Sequence, residues 1–297
     1  MTTPATTSAP EPRRRADFRF LDRLRVRWAE VDMQKIVFNG HYLMYFDTAI
    51  AGYWRALALP YHDTMVALAG DLFVRKATVE YEGSARYDDL CELGVRCTRI
   101  GKSSMVFGLA LFRGETRLVH GELVYVFADP DTQTSRPVPQ TLRQVLEGFE
   151  AGQPMLECRT GPWDELGREA GPLRRAVFED ELGVAQAMGE DAADLQATHV
   201  VAHNRFGLAV GTGRLTPQEA GCGRIGRLAV HAALRGAGVG ASMVRALLDE
   251  ARKRGDLEVV LAAQSSAVRF YERLGFTRRG PAFEEAGLPH QEMVLAL

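Results

Sequence analysis

Seven consecutive residues, Arg235-Gly236-Ala237-Gly238-Val239-Gly240-Ala241, are suited to hold a diphosphate. Glycines let a backbone approach an anion without Cβ interference, and a helix starting there aims unpaired N–H groups and a positive dipole end at it. Arg235 adds a full charge to that set. Gly236, Gly238 and Ala241 also satisfy the G-x-G-x-x-A spacing of a dinucleotide fold, so context has to separate the two readings. In the dinucleotide motif the first glycine closes the strand and an acidic residue ends the next strand. Here His231-Ala232-Ala233-Leu234 intervene, and the next strand-like run carries Asp256 and Glu258 at its start but Gln264 at its end. That context disfavours a nicotinamide site.

To position the loop, the chain must supply a strand before it, over 224–230, and a helix after it, over 239–254. Further strands are expected at 156–159, 198–203, 208–215, 258–263 and 292–297, with helices at 163–179 and 265–274. Strands mixed with helices make this half α/β or α+β, mostly antiparallel. Upstream, Leu43, Phe46, Ile50, Tyr53 and Leu57 recur at steps of three and four, an apolar stripe that only a helix can produce. Asn39-Gly40 precedes it and reads as the helix start, with Asn39 near the cap. Strands are expected at 21–30, 72–82, 90–100, 104–113 and 117–128. The last contains Leu123-Val124-Tyr125-Val126-Phe127, apolar throughout, and so belongs inside a sheet or at a subunit contact. The N-terminal half is thus one long helix with an antiparallel sheet.

A chain of 297 residues that is 46% hydrophobic can bury two cores. Breakers around Gly152-Gln153-Pro154 and Gly161-Pro162 place a boundary near Pro154, giving domains at 18–150 and 151–297 after a disordered tail at 1–17. A net charge of -2 gives no global pull toward nucleic acid or an anionic membrane. Cys91, Cys97, Cys158 and Cys222 show neither CxxC pairing nor a histidine at zinc spacing, which points to buried reduced thiols without a metal. No apolar run reaches membrane-spanning length, and a cytoplasmic protein is expected.

Three pieces together resemble the Gcn5-related N-acetyltransferase (GNAT) family: Ile225-Gly226-Arg227-Leu228-Ala229-Val230, the 235–241 loop, and Gln264-Ser265-Ser266-Ala267-Val268-Arg269-Phe270-Tyr271-Glu272-Arg273-Leu274-Gly275-Phe276. Gly213-Arg214-Leu215 and Gly287-Leu288-Pro289-His290 are similar to its ElaA/YjcF-like branch. The resemblance implies that the backbone of Leu228, Ala229 and Val230 pairs with pantetheine. Arg235, Gly236, Ala237, Gly238, Val239, Gly240 and Ala241 would wrap the diphosphate of coenzyme A, with Phe270 alongside. Tyr271 would protonate the departing thiolate, although a packed aromatic is the alternative for this residue. For the base that takes the proton of the amine acceptor, Glu181, Asp194, His199 and His290 are all open, and His290 is preferred because it precedes the last strand.

Around Arg25-Val26-Arg27-Trp28-Ala29-Glu30-Val31-Asp32, Ile36-Val37-Phe38-Asn39-Gly40-His41-Tyr42-Leu43 and Ala85-Arg86-Tyr87-Asp88-Asp89, the chain resembles the hotdog-fold acyl-CoA thioesterases of the 4-hydroxybenzoyl-CoA thioesterase and YbgC type. The resemblance implies that Asp32 is nucleophile or general base on an acyl-CoA thioester. Attack on a thioester builds charge on oxygen, so N–H donors in the first helical turn, near Phe38, Asn39, Gly40 and His41, are needed to stabilise it. His41 and Tyr42 would line the acyl pocket, though helix packing explains Tyr42 equally well. Met33-Gln34-Lys35 and Asn39 depart from many relatives. Single hotdog units leave a strand edge open, which implies a homodimer or higher homo-oligomer through this domain. The resemblances together imply an α+β, two-domain fusion of an acyl-CoA thioester hydrolase with an acetyl-CoA-dependent N-acetyltransferase. The alternative is a transferase carrying a non-catalytic hotdog module for dimerisation or acyl-CoA sensing.

Overall fold

The computed structural model describes residues 14–183, 191–219, 221–285 and 287–297. The chain divides between Met155 and Leu156 into two compact units. The tail expected over 1–17 lies outside the described residues as far as 13. From Arg15 to Asp17 the chain instead forms a 3-10 turn, where Arg15 pairs with Glu92.

In the N-terminal unit, β1 (Phe20–Arg25), β2 (Asp71–Tyr81), β3 (Leu90–Ile100), β4 (Ser104–Arg113) and β5 (Thr116–Ala128) form one antiparallel sheet in the order β1-β3-β4-β5-β2. The apolar β5 lies inside it, between β4 and β2. Helix α1 (His41–Ala56) packs against the sheet through the expected stripe: Phe46, Ile50, Tyr53 and Leu57 are buried, and Leu43 is 42% exposed. Tyr53 sits edge-on to Phe20, Phe107 and Phe149, and each large side chain buried this fully contributes on the order of 1.5–3 kcal/mol. The sheet closes on the helix so tightly that a Cβ on Gly121 would stand 3.0 Å from the Phe46 ring.

Local expectations fail in three places. The first strand stops at Arg25, because the Glu30 carboxylate accepts the Arg27 N–H and curls Trp28–Glu30 into a 3-10 turn. The N-cap of α1 is Gly40, with no side-chain cap, and among the described residues Asn39 contributes only its carbonyl, to Tyr42 and Tyr81. Two further helices form, α2 (Tyr61–Ala67) and α3 (Gln140–Glu150), the latter burying Leu142, Val145, Leu146 and Phe149.

In the C-terminal unit, β6 (Leu156–Gly161), β7 (Thr198–Asn204), β8 (Ala209–Pro217), β9 (Cys222–Val230), β10 (Glu258–Gln264), β11 (Thr277–Arg278) and β13 (Leu288–Ala296) make a mixed sheet in the order β11-β13-β10-β9-β8-β7-β6; β12 (Phe283–Glu285) pairs with β13. All pairings are antiparallel except β9 with β10. Alternation along β7 shows the two faces. Val200 and Ala202 join the core under α5 (Val239–Arg254), whereas Val201 packs with Leu166 and Ala170 of α4 (Trp163–Arg174). Helix α4 does not remain regular to 179 as expected. Pro172 lacks an N–H to donate, and the chain continues as a π-helical turn over Arg175–Glu181. Ser265–Ala267 is a 3-10 turn that leads into the short α6 (Val268–Glu272).

Candidate functional site

Strands β9 and β10 pair only where Cys222, Gly223 and Arg224 meet Glu258, Val259 and Val260. Beyond that point the strands part, and β9 from Ile225 onward has a strand partner only on its β8 side among the described residues. The β8–β9 register slips between Thr212 and Arg214, and Arg227 adopts φ +50, so β9 carries a bulge there. A cavity of about 850 Å³ occupies the wedge. Its walls include Leu228 and Val230 of β9, the 235–241 loop, Phe270 and Tyr271 of α6, and His290 of β13.

The loop presents donors. Gly236 and Gly238 take φ +83 and +87, a region closed to most side chains, and Gly238 is the N-cap of α5. The first helical bond runs from the Ser242 N–H to the Gly238 carbonyl at 3.0 Å. Among the described residues no acceptor takes the N–H of Gly236, Gly238, Val239, Gly240 or Ala241. Among the described residues no atom lies within 4 Å of a Cβ built at Gly236 or Gly238, so none of their side chains plugs the bend. Gly240 faces Phe270, whose ring is 3.3 Å from such a Cβ. Arg235 is bound bidentately by Glu181, with Nη2 2.6 Å from Oε2, so both carboxylate oxygens of Glu181 are taken up in this arrangement.

Tyr271 is 7% exposed, and burial pushes its phenol up to about 12. Its hydroxyl has no hydrogen-bond partner among the described residues and belongs to a side chain lining the cavity. His290 stands opposite Gln264 in the β10–β13 pairing. Its Nδ1 lies 2.8 Å from the Leu288 carbonyl, which can only accept, so Nδ1 carries the proton and Nε2 of the neutral ring keeps a lone pair.

Asp194 and His199 do not reach the cavity. Both are buried beside Arg174, itself fully buried and 4.8 Å over the Trp163 ring. Arg174 donates to Asp194 Oδ1 at 2.8 Å and to His199 Nδ1 at 3.0 Å, and the His199 Nε2–H donates to the Asp194 carbonyl. Arg214 joins Asp194 to Asp191, and Arg227 also binds Asp191. Burial opposes ionisation of Asp194, yet donors from Arg174, the Asp191 N–H and Arg214 hold its carboxyl below the usual range; hydrogen bonds from Arg214 do the same for Asp191. A depressed folded pKa gives stability that is present above the unfolded value, about 3.9, and lost as pH falls through the folded one. Melting of this unit is therefore expected to be level near neutrality and to fall below about pH 4. Calorimetry from pH 7 to pH 3 checks this, and a flat profile rejects it.

In the N-terminal unit, Asp32 lies on a small hairpin that leads into α1. Its N–H bonds the Ile36 carbonyl at 2.9 Å, Val31 bridges Val37, and Lys35 closes the turn at φ +62. The Asp32 carboxylate accepts only the Gln34 N–H, at 2.8 Å, among the described residues. Glu30 ties this arm to the helix: it accepts the Tyr45 hydroxyl at 2.6 Å and two donors of Arg27 at 2.7 Å. Around the helix start, Phe38 N–H is taken by Glu30, His41 N–H by Phe38 and Tyr42 N–H by Asn39. That leaves the N–H groups of Asn39 and Gly40 without an acceptor among the described residues. Tyr42 is 2% exposed, and its hydroxyl accepts the Ala85 N–H. His41 is half-buried, edge-on to the exposed Phe38. Asp88 and Asp89 are turn residues, Asp88 at φ +68 and Asp89 accepting the Arg86 N–H.

The molecule joins two α+β units: a five-stranded antiparallel sheet wrapped on one helix, and a mixed sheet with a splayed parallel pair and a glycine-rich helix start. Residues 164–297 match the acetyltransferase (GNAT) domain family, and residues 34–120 match the thioesterase superfamily. The uncharacterized N-acetyltransferase YjcF of Bacillus subtilis is 31% identical over 132 residues, covering 44% of this chain and 93% of that protein. The acyl-CoA thioester hydrolase YbgC of Escherichia coli O157:H7 is 28% identical over 123 residues, covering 40% of this chain and 89% of that protein. The crystal structure of Escherichia coli ElaA aligns with a TM-score of 0.43 at 28% identity, over 48% of this chain and 99% of that one. The chain belongs to the GNAT acetyltransferases through its C-terminal unit and to the thioesterase superfamily, with its hotdog fold, through its N-terminal unit.

Arg214, Arg224 and Arg227 also line the cavity, although the sequence reading does not place them in a site. A signal was available in Arg224 and Arg227, which interrupt an otherwise apolar strand.

Proposed function

We propose that the protein is bifunctional, hydrolysing acyl-CoA thioesters with its N-terminal unit and acetylating an amine from acetyl-CoA with its C-terminal unit. The observation that carries the transferase half is the open set of N–H donors at the start of α5, on the wall of the same cavity that holds Tyr271 and His290. The loop from Gly236 to Ala241 would hold the diphosphate, and the unpaired edge of Leu228, Ala229 and Val230 would align pantetheine. An acceptor nitrogen would then attack the acetyl carbonyl. His290 Nε2 takes the amine proton, and Tyr271 supplies one to the sulfur as the C–S bond breaks. Arg235 reaches the diphosphate by exchanging Glu181 for it.

In the hydrolase half, Asp32 attacks the thioester carbonyl or activates water, and the free N–H groups of Asn39 and Gly40 meet the developing oxyanion. Trp28, Met33, Phe38 and Tyr87 are exposed around this arm, at 74%, 100%, 51% and 54%, and support a homodimer that covers them. The same exposure favours the second reading, in which this unit serves only for dimerisation or acyl-CoA sensing. We place the protein in the cytoplasm, in keeping with its four free cysteines. Among the described residues no helix is long and apolar enough to cross a membrane.

Thiol release from a panel of acyl-CoA thioesters, with and without primary amines, tests both halves on the intact chain. Amine-independent and amine-dependent release are both expected. Amine-dependent release alone would leave the second reading, and neither would reject the bifunctional one.

A further inference from the structure

We propose that the amine acetylated by the C-terminal unit carries an oxyanion, carboxylate or phosphate, bound by Arg224 and Arg227; this rests on the acetyltransferase reading above. Strand β9 has two faces. Ile225, Leu228 and Val230 pack into the core under α5, so Arg224 and Arg227 project from the opposite face, Arg227 toward Asp191 and Arg224 toward Glu292 of β13. The glycine loop follows Val230, whereas Arg224 lies at the closed end of the wedge, six residues and roughly 20 Å back along the strand. The phosphates of coenzyme A belong at the loop. Cationic groups at the closed end therefore serve something else.

Arg224 is the most loosely paired of these cations, and Arg279, which shares Glu292 with it, also binds Glu258. Arg224 has only Glu292, at 3.5 Å, among the described residues, and that carboxylate is held more closely by Arg279, at 2.8 Å. The Arg224 Nε is buried without a hydrogen-bond partner, while 36% of the side chain remains exposed. Further along β9, Arg227 joins Arg214 and the buried Arg174 in sharing Asp191 and Asp194, with His199 held toward its neutral form by burial. Other acidic groups lining the cavity, among the described residues, are Glu181, occupied by Arg235, and the exposed Glu285 of β12. A polyamine would meet repulsion at this end; an amine with an anionic tail would complete it. In the transfer, the neutral primary amine gives up one proton as the N–C bond forms and the C–S bond breaks, giving an N-acetyl product that keeps one N–H and its anion, and a free thiol that gains one proton.

The test uses the full chain, acetyl-CoA and thiol release with two-carbon and four-carbon primary amines, each ending in hydroxyl, phosphate, carboxylate or ammonium. One charge-assisted contact is expected to raise kcat/KM of an anionic member about tenfold or more over its hydroxyl partner, and the phosphate and carboxylate arms show which anion fits. Arg224→Gln is expected to erase that preference through KM with acetyl-CoA affinity unchanged, and Arg224→Lys to restore part of it. Equal or better use of the hydroxyl or ammonium members overturns the proposal, as does a preference intact in Arg224→Gln or a panel without turnover on protein that binds acetyl-CoA by calorimetry. Failure to bind acetyl-CoA overturns the acetyltransferase reading with it.

Discussion

Asp32→Asn is expected to lower acyl-CoA hydrolysis by about 10²–10⁴-fold and to leave amine acetylation unchanged. The substitution is nearly isosteric. The amide oxygen it introduces can still accept the Gln34 N–H, and the hairpin from Val31 to Val37 is held by its own main chain, so the arm keeps its shape. Only the anionic carboxylate is lost. If Asp32 attacks the carbonyl or takes a proton from water, an amide can do neither. A loss in kcat greater than any change in KM would mark the carboxylate as acting in the transition state. Hydrolysis that persists at the wild-type rate rejects the role and favours the sensing or dimerisation reading.

Tyr271→Phe is expected to lower acetyl transfer by roughly 10²-fold while coenzyme A binds as before. Burial, with Phe270 and Phe276 packed edge-on around the ring, keeps the phenol protonated up to about pH 12. The raised pKa keeps the proton on the phenol throughout the working range but makes the phenol a weaker acid than the thiol, near 8.5, so the transfer depends on the hydroxyl being held against the sulfur as its charge develops. In pH–rate profiles, any decline between pH 8 and pH 10 should therefore persist in the variant, since it does not arise from this proton. A variant that transfers acetyl at the wild-type rate, with a known acceptor, makes Tyr271 a packing residue.

What the sequence disclosed depended on the range over which each feature is encoded. The α1 stripe, the glycine loop and the β3 and β4 strands are local patterns, and the structure keeps them at or near the expected residues. Helix α3 escaped because the stretch leading to Gly152-Gln153-Pro154 reads as a breaker-rich boundary, although Leu142, Val145, Leu146 and Phe149 carry a helical period. The 3-10 turn at Trp28–Glu30 is closed locally by Glu30 on the Arg27 N–H, but the bond that Tyr45, fifteen residues away, gives to Glu30 has no local signal. Pairing across long separations was illegible. Nothing near Glu181 announces that Arg235 binds it, 54 residues on. Nor does His199 or Asp194 show in sequence that a buried arginine consumes it. Three of the residues weighed as bases were thus spoken for by distant cations, and the fourth, His290, was favoured only for its place before a strand.

The extra residue at Arg227 reverses the parity of β9. Before it, odd-numbered side chains such as Ile225 turn inward; after it, even-numbered ones, Leu228 and Val230, do so. One ribbon can therefore show arginines outward at 224 and 227, three apart, where a regular strand would have sent one of them into the oil. Excising a single residue there would turn the last stretch of the ribbon inside out, exchanging its greasy and bare positions just ahead of the glycine loop.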